Sequence, residues 1–108
     1  MDSECIFCNI SKKELPADIV HEDGEIIVFK DMHPKAPVHL LLVPKKHIDS
    51  VNNLCNDDVA LIGRMVCLTP QIAKDAGTGE GYKLLFNVGR KGGQIVDHIH
   101  LHLMGGWQ

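Results

Sequence analysis

Asp97-His98-Ile99-His100-Leu101-His102-Leu103-Met104-Gly105-Gly106 is the stretch on which the reading of this chain turns. Three histidines alternate with aliphatic residues. A β-strand has a side-chain period of two. His98, His100 and His102 therefore project from one face, and Ile99, Leu101 and Leu103 from the other. The aliphatic face requires a core. Three titratable rings side by side point to catalysis, a metal or a phosphate rather than to a solvated face. Glycine pairs at Gly92-Gly93 and Gly105-Gly106 mark turns on either side.

Outward from this strand (residues 98–104), the preceding loop carries Asn87, Gly89, Arg90, Lys91, Gly92, Gly93 and Gln94. Glycine lets an anion approach backbone N–H groups closely. Residues 82–88 form the strand before that loop. Further upstream, Val59, Ile62, Met65, Val66, Thr69, Ile72, Ala73 and Ala76 recur at steps of three and four, the pattern of an amphipathic helix ending at Gly77. Asn56 is its N-cap, with Asp57 and Asp58 in the first turn. Pro70 should kink the helix or shift its start. Cys67 falls on the apolar side as core filler. Residues 18–22, 25–31 and 38–44 read as strands, the first two joined by the turn Asp23-Gly24. Several strands, one long helix and two more strands predict an α+β domain: an antiparallel sheet of about five strands with the helix on one face.

Composition narrows the function. At 108 residues the chain is one domain, residues 1–108, with 44% apolar and 23% charged residues. A net charge of −3 and no basic block give no electrostatic case for nucleic acid. No apolar run approaches the ~20 residues of a membrane span. The acidic start Met1-Asp2-Ser3-Glu4 lacks a signal-peptide core, which points to the cytoplasm. Disulfides are disfavoured there, so the four cysteines call for another explanation. Cys5-Ile6-Phe7-Cys8 is half a zinc site, a redox pair or two buried thiols. A zinc site would need two further ligands, available among His33, His39, His47, the three strand histidines, Cys55 and Cys67. Imidazole is itself a good nucleophile toward phosphorus at neutral pH. The competing use of three same-face imidazoles is a zinc hydrolase centre, and this stretch alone leaves both open.

The run His98-Ile99-His100-Leu101-His102-Leu103-Met104 resembles the signature of the histidine triad (HIT) family. Cys5-Ile6-Phe7-Cys8, Ala36-Pro37-Val38-His39, Val43-Pro44-Lys45-Lys46-His47 and Gly93-Gln94 are similar to its Hint branch, in the same order. The resemblance implies a HIT-like α+β fold with a short N-terminal helix, built as a homodimer. It implies a nucleotide hydrolase acting on purine nucleoside phosphoramidates or related AMP and GMP conjugates. His100 matches the nucleophile, His102 a phosphate contact and His39 a supporting histidine. Asp31 matches the ribose-binding acid, and Met32 follows it in the nucleoside pocket. Asn87, Gly93 and Gln94 match phosphate-side contacts. Cys5, Cys8, His47 and His98 match a Cys₂His₂ zinc site, structural and closed, with no catalytic metal.

Two departures stand out. Ile95 occupies a position that is often Ser or Thr in the family, so only its backbone N–H is left to bind phosphate. The chain ends at Gln108, where Hint relatives often continue into a tail that shapes the substrate pocket. A dinucleoside polyphosphate hydrolase and a nucleotide- or partner-binding protein with weak activity are the alternatives.

Overall fold

The computed structural model describes residues 5–108; the acidic start, residues 1–4, lies outside them. A short helix α1 (Ile6–Ser11) is followed by β1 (Ile19–Glu22), β2 (Ile26–Lys30) and β3 (Val38–Pro44). The long helix α2 (Val59–Asp75) then leads to β4 (Tyr82–Leu85) and β5 (Leu101–Gly105). The strands form one antiparallel sheet in the order β1-β2-β3-β5-β4. This is the expected α+β arrangement of five strands, a long helix and a short N-terminal one.

Strands β2 and β3 are apolar on both faces, and the structure covers both. Ile26, Val28, Leu40, Leu42, Leu101 and Leu103 face α2, where Leu61, Met65, Ile72 and Ala73 meet them. Ile27, Phe29, Leu41 and Val43 face the other way and pack with Phe7 and Ile10 of α1. Burial on both sides explains why these strands are continuous apolar runs rather than alternating ones.

The helix is rotated relative to the expected stripe. Its buried residues are Leu61, Met65, Thr69, Ile72 and Ala73. Val59 is 68% exposed and Val66 40%, and Cys67 is exposed as well. At about 100° per residue, Cys67 lies nearly opposite Met65 and Thr69, so it is not core filler. The cap also differs. A 3₁₀ turn at Asn56–Asp58 precedes α2, and the Asp58 carboxylate accepts from the Cys55 backbone N–H at 3.1 Å. Lys46 donates to the same carboxylate at 2.6 Å. Pro70 does not interrupt α2. Proline leaves the Val66 carbonyl without its helical donor, and the Thr69 hydroxyl supplies one at 2.7 Å. At the far end Gly77, at φ +84°, closes the helix, with Thr78 N–H donating to Ala73 O and Gly77 N–H to Lys74 O.

The last strand starts three residues later than the alternation predicts, at Leu101 rather than His98. Continuing the β3–β5 register would set Ile99 opposite Pro44. Proline has no N–H for the ladder. Ile99 N–H donates instead to Ile48 O at 2.7 Å. The alternation nevertheless persists, with Ile99, Leu101 and Leu103 in the helix-side core. β4 is likewise shorter than expected, ending at Leu85. No described helix is long and apolar enough to cross a membrane.

Candidate active site and metal centre

The histidine face of β5 and the residues before it lie on the α1 side of the sheet. The Phe7 ring packs edge-on against His98 and His100, with centroids 6.0 and 5.1 Å away. His98 is fully buried and His100 is 7% exposed. The row divides into two chemical groups, and the hydrogen bond each ring makes sets its tautomer.

His98 belongs to the first group. Its Nε2–H donates to Pro44 O at 2.7 Å, because a carbonyl can only accept. Nδ1 is left with a lone pair, and it lies 3.3 Å from Cys5 Sγ and 3.5 Å from Cys8 Sγ. His47 repeats the pattern. Its Nε2 is 2.7 Å from Asp49 Oδ1 and its Nδ1 is 3.2 Å from Cys8 Sγ. α1 supplies both sulfurs, with Cys5 as N-cap accepting from Cys8 N–H. All four ligand-type atoms lie within 4.8 Å of one another. A tetrahedral zinc holds sulfur and nitrogen ligands roughly 3.5 Å apart, so these separations fit. The outward nitrogens donate to a carbonyl and a carboxylate, as rings bound to a metal commonly do. Asp49 and the Pro44 carbonyl are participants that sequence reasoning missed. The i+2 spacing of His47 and Asp49 was the available signal.

His100, His102 and His39 form the second group. His100 Nδ1–H donates to His98 O at 2.7 Å, which leaves Nε2 as a bare lone pair. His39 Nδ1 accepts from Lys35 N–H at 3.0 Å, so its proton sits on Nε2. That proton lies between His102 Nδ1 at 2.9 Å and Asp31 Oδ2 at 3.3 Å. Asp31, His39 and His102 also bring three ligand-type atoms together. A metal there would need a bare His39 Nε2, which the Lys35 N–H works against; the arrangement suits proton sharing. When His102 Nδ1 accepts from His39, its own proton is on Nε2. Asn87 Nδ2 lies 3.5 Å from that nitrogen, and the amide turned over would set its Oδ1 there to accept the Nε2–H.

The remaining predicted residues surround this group. Asp31 Oδ1 accepts from His33 N–H, forming a tight turn, and Met32 is 80% exposed beside it. Gly89 and Gly93 adopt positive φ around a 3₁₀ turn at Arg90–Gly92. Gly93 N–H is taken by Arg90 O. Ile95 is 74% exposed, and its carbonyl accepts from the Arg90 guanidinium. Gln94 is buried, and its side chain bonds to protein groups.

Burial lowers the pKa of His100 and of His39. His102 is pushed down to about 4, by burial first and by its two imidazole neighbours second. A lowered value keeps the neutral ring populated from neutral pH into mild acid. The acid limb of kcat/KM is therefore expected below the ordinary imidazole value of about 6.5, with activity lost as pH falls toward 4. A limb at or above 6.5 in a pH–rate profile would contradict the lowering of these rings by burial.

The fold and site define a class: small α+β proteins with a row of imidazoles on one sheet face, one ring turned to a thiol cluster and the others left for chemistry. A family described as "Scavenger mRNA decapping enzyme C-term binding" matches residues 4–106. The chain is 50% identical over 101 residues to Protein HitA of Neisseria gonorrhoeae, covering 94% of each. It is 42% identical over 107 residues to a purine nucleoside phosphoramidase of Escherichia coli, covering 98% of this chain and 90% of that one. The crystal structure of a HIT family hydrolase from Legionella pneumophila superposes with a TM-score of 0.94 at 47% identity, over 97% of this chain and 95% of that one. The chain belongs to the histidine triad family, and it is a hydrolase.

Proposed function

We propose that the protein hydrolyses purine nucleoside phosphoramidates, or related AMP and GMP conjugates, through a nucleotidyl-His100 intermediate. The observation that carries this is the His100 ring, which donates through Nδ1–H to His98 O and so presents an unprotonated Nε2. That nitrogen attacks the α-phosphorus. The Nε2–P bond forms as the bond from phosphorus to the leaving amine breaks. His102, whose proton is held on Nε2 by its bond from His39, donates a hydrogen bond to the departing group, and the amine takes its proton from water. Water then cleaves the Nε2–P bond, releasing the nucleoside monophosphate.

The other assignments follow the family resemblance and suit the geometry. Asp31 and Met32 border the nucleoside side. Asn87, Gly93 and Ile95 border the phosphate side, where the Ile95 N–H has no partner among the described hydrogen bonds, while Gln94 serves that side only by holding the loop from within. Cys5, Cys8, His47 and His98 would hold a zinc ion, whose chemistry is structural: it ties α1 to the sheet and offers no open position. Reduced thiols in a cytoplasmic setting suit that role. A homodimer is supported by apolar surface at Val59, Val66 and Leu84, and by β4, which among the described residues pairs with β5 alone and leaves its other edge open.

Turnover of adenosine phosphoramidate against that of a diadenosine polyphosphate tests the reading. Faster release of AMP from the phosphoramidate is expected. Preference for the dinucleotide would favour the polyphosphate hydrolase, and tight AMP binding with neither substrate consumed would reduce the protein to a binder.

A further inference from the structure

Gln94 sits in a glycine-rich loop, where a polar side chain would ordinarily face solvent or ligand. It is 3% exposed instead. Its Nε2 donates to Asp49 O at 2.6 Å and to Val96 O at 3.0 Å, and its Oε1 accepts from Gly89 N–H at 2.8 Å. The Gln94 backbone N–H donates to Gly89 O at 3.0 Å. The loop from Gly89 to Gln94 is thus closed on itself and tethered to a distant segment at the Asp49 carbonyl. Asp49 is also the residue whose carboxylate accepts from His47 Nε2–H.

We propose that Gln94 and Asp49 are positioning residues forming a strut, through which metal occupancy at Cys5, Cys8, His47 and His98 and anion binding at the glycine loop favour each other. The physical basis is the exposure of the link. The His47 and Asp49 side chains are 41% and 62% exposed. An exposed pair of this kind contributes little by itself. A metal on Nδ1 fixes the His47 ring, which fixes the Asp49 carboxylate and, through its backbone, the carbonyl that anchors Gln94. Coupling between two sites is reciprocal, so an anion that orders the loop must tighten the metal. A separate link, from His98 O to His100 Nδ1–H, reaches the nucleophile and bypasses the loop.

This inference rests on the nucleotide reading for the identity of the anion, and its test separates the two. Amide exchange at Gly89 is measured in the zinc-loaded and chelated protein, alongside calorimetric titration with AMP. In the wild type, chelation should speed Gly89 exchange and weaken AMP binding, by about fivefold at the low end of ordinary coupling. In Gln94→Met, which keeps the volume and loses the three side-chain bonds, Gly89 should exchange rapidly with or without zinc, and the zinc effect on AMP binding should fall by at least half. Asp49→Ala keeps the backbone carbonyl and cuts only the link to His47. With zinc bound it should still speed Gly89 exchange, which decides the matter even if chelation or Gln94→Met unfolds the chain. Unchanged Gly89 exchange in zinc-loaded Asp49→Ala, or an equal zinc effect on AMP in Gln94→Met and wild type, would overturn the strut. Absence of AMP binding in the wild type would remove the nucleotide reading alone, because the exchange measurements still decide the strut.

Discussion

His100→Ala is expected to abolish phosphoramidate turnover, by at least about 10⁴-fold in kcat/KM, while AMP still binds. The loss should be this large because the proposed route has this ring form the covalent bond to phosphorus and no neighbour can replace it. His98 directs its lone pair at two sulfurs. His102 is committed to His39 through Nδ1 and carries its proton on Nε2. Neither presents a bare nitrogen where His100 does. Binding should survive because the phosphate side is built from loop backbone and the Asn87 amide, which this substitution leaves in place. His39→Ala is the informative companion. It removes the donor that sets the His102 tautomer, so kcat should fall with KM changed less. The measurement is steady-state release of AMP from adenosine phosphoramidate, with AMP affinity taken separately by calorimetry. Residual activity within tenfold of wild type in His100→Ala would exclude the covalent route.

Removing the metal, or one of its sulfur ligands, is expected to produce the largest change in stability. A ligand that binds only the folded state stabilises it by about 4 kcal/mol at a free concentration of 1,000 times Kd. For a domain of this size that corresponds to a fall in Tm of about 15–30 °C. Cys8→Ser should therefore lose zinc and melt much earlier than wild type. It should also free α1, whose Phe7 and Ile10 cover the second face of the sheet. Cys67→Ser is the matching control. Cys67 is exposed on the outer side of α2, and replacing it should change stability by no more than about 0.5 kcal/mol. Metal content by elemental analysis and melting with and without chelator check both. A zinc content far below one per chain in the wild type, or equal melting of Cys8→Ser and Cys67→Ser, would contradict the metal centre.

Much of the fold was legible from local pattern. The third strand was read at residues 38–44 and is found there, because the apolar run Leu40-Leu41-Leu42-Val43 closed by proline has few other uses. The helix was recognised, but its buried face was misassigned at Val59, Val66 and Cys67. Its sequence is apolar over more than half its circumference, so periodicity alone could not say which arc meets the sheet. The helix starts after Asp58 rather than at Asn56 because a 3₁₀ turn, closed by the Asp58 carboxylate on the Cys55 N–H, comes first. Gln94 shows the same limit. The family resemblance made it a phosphate-side contact, whereas its amide is held by a carbonyl 45 positions away.

By itself the sequence determined the division of the last segment into an aliphatic and a histidine face, and with it the α+β class. Side-chain direction along an extended chain alternates whatever the surroundings, so that division survives even where Pro44 delays the strand. The tertiary structure alone decided what each histidine does. An imidazole has two nitrogens, and which one carries the proton depends on the partner across from it. Those partners are Pro44 O, His98 O and Lys35 N–H, together with the Asp49 carboxylate, and they turn similar rings into two lone pairs facing the thiols, a bare Nε2 at His100 and an Nε2–H at His39.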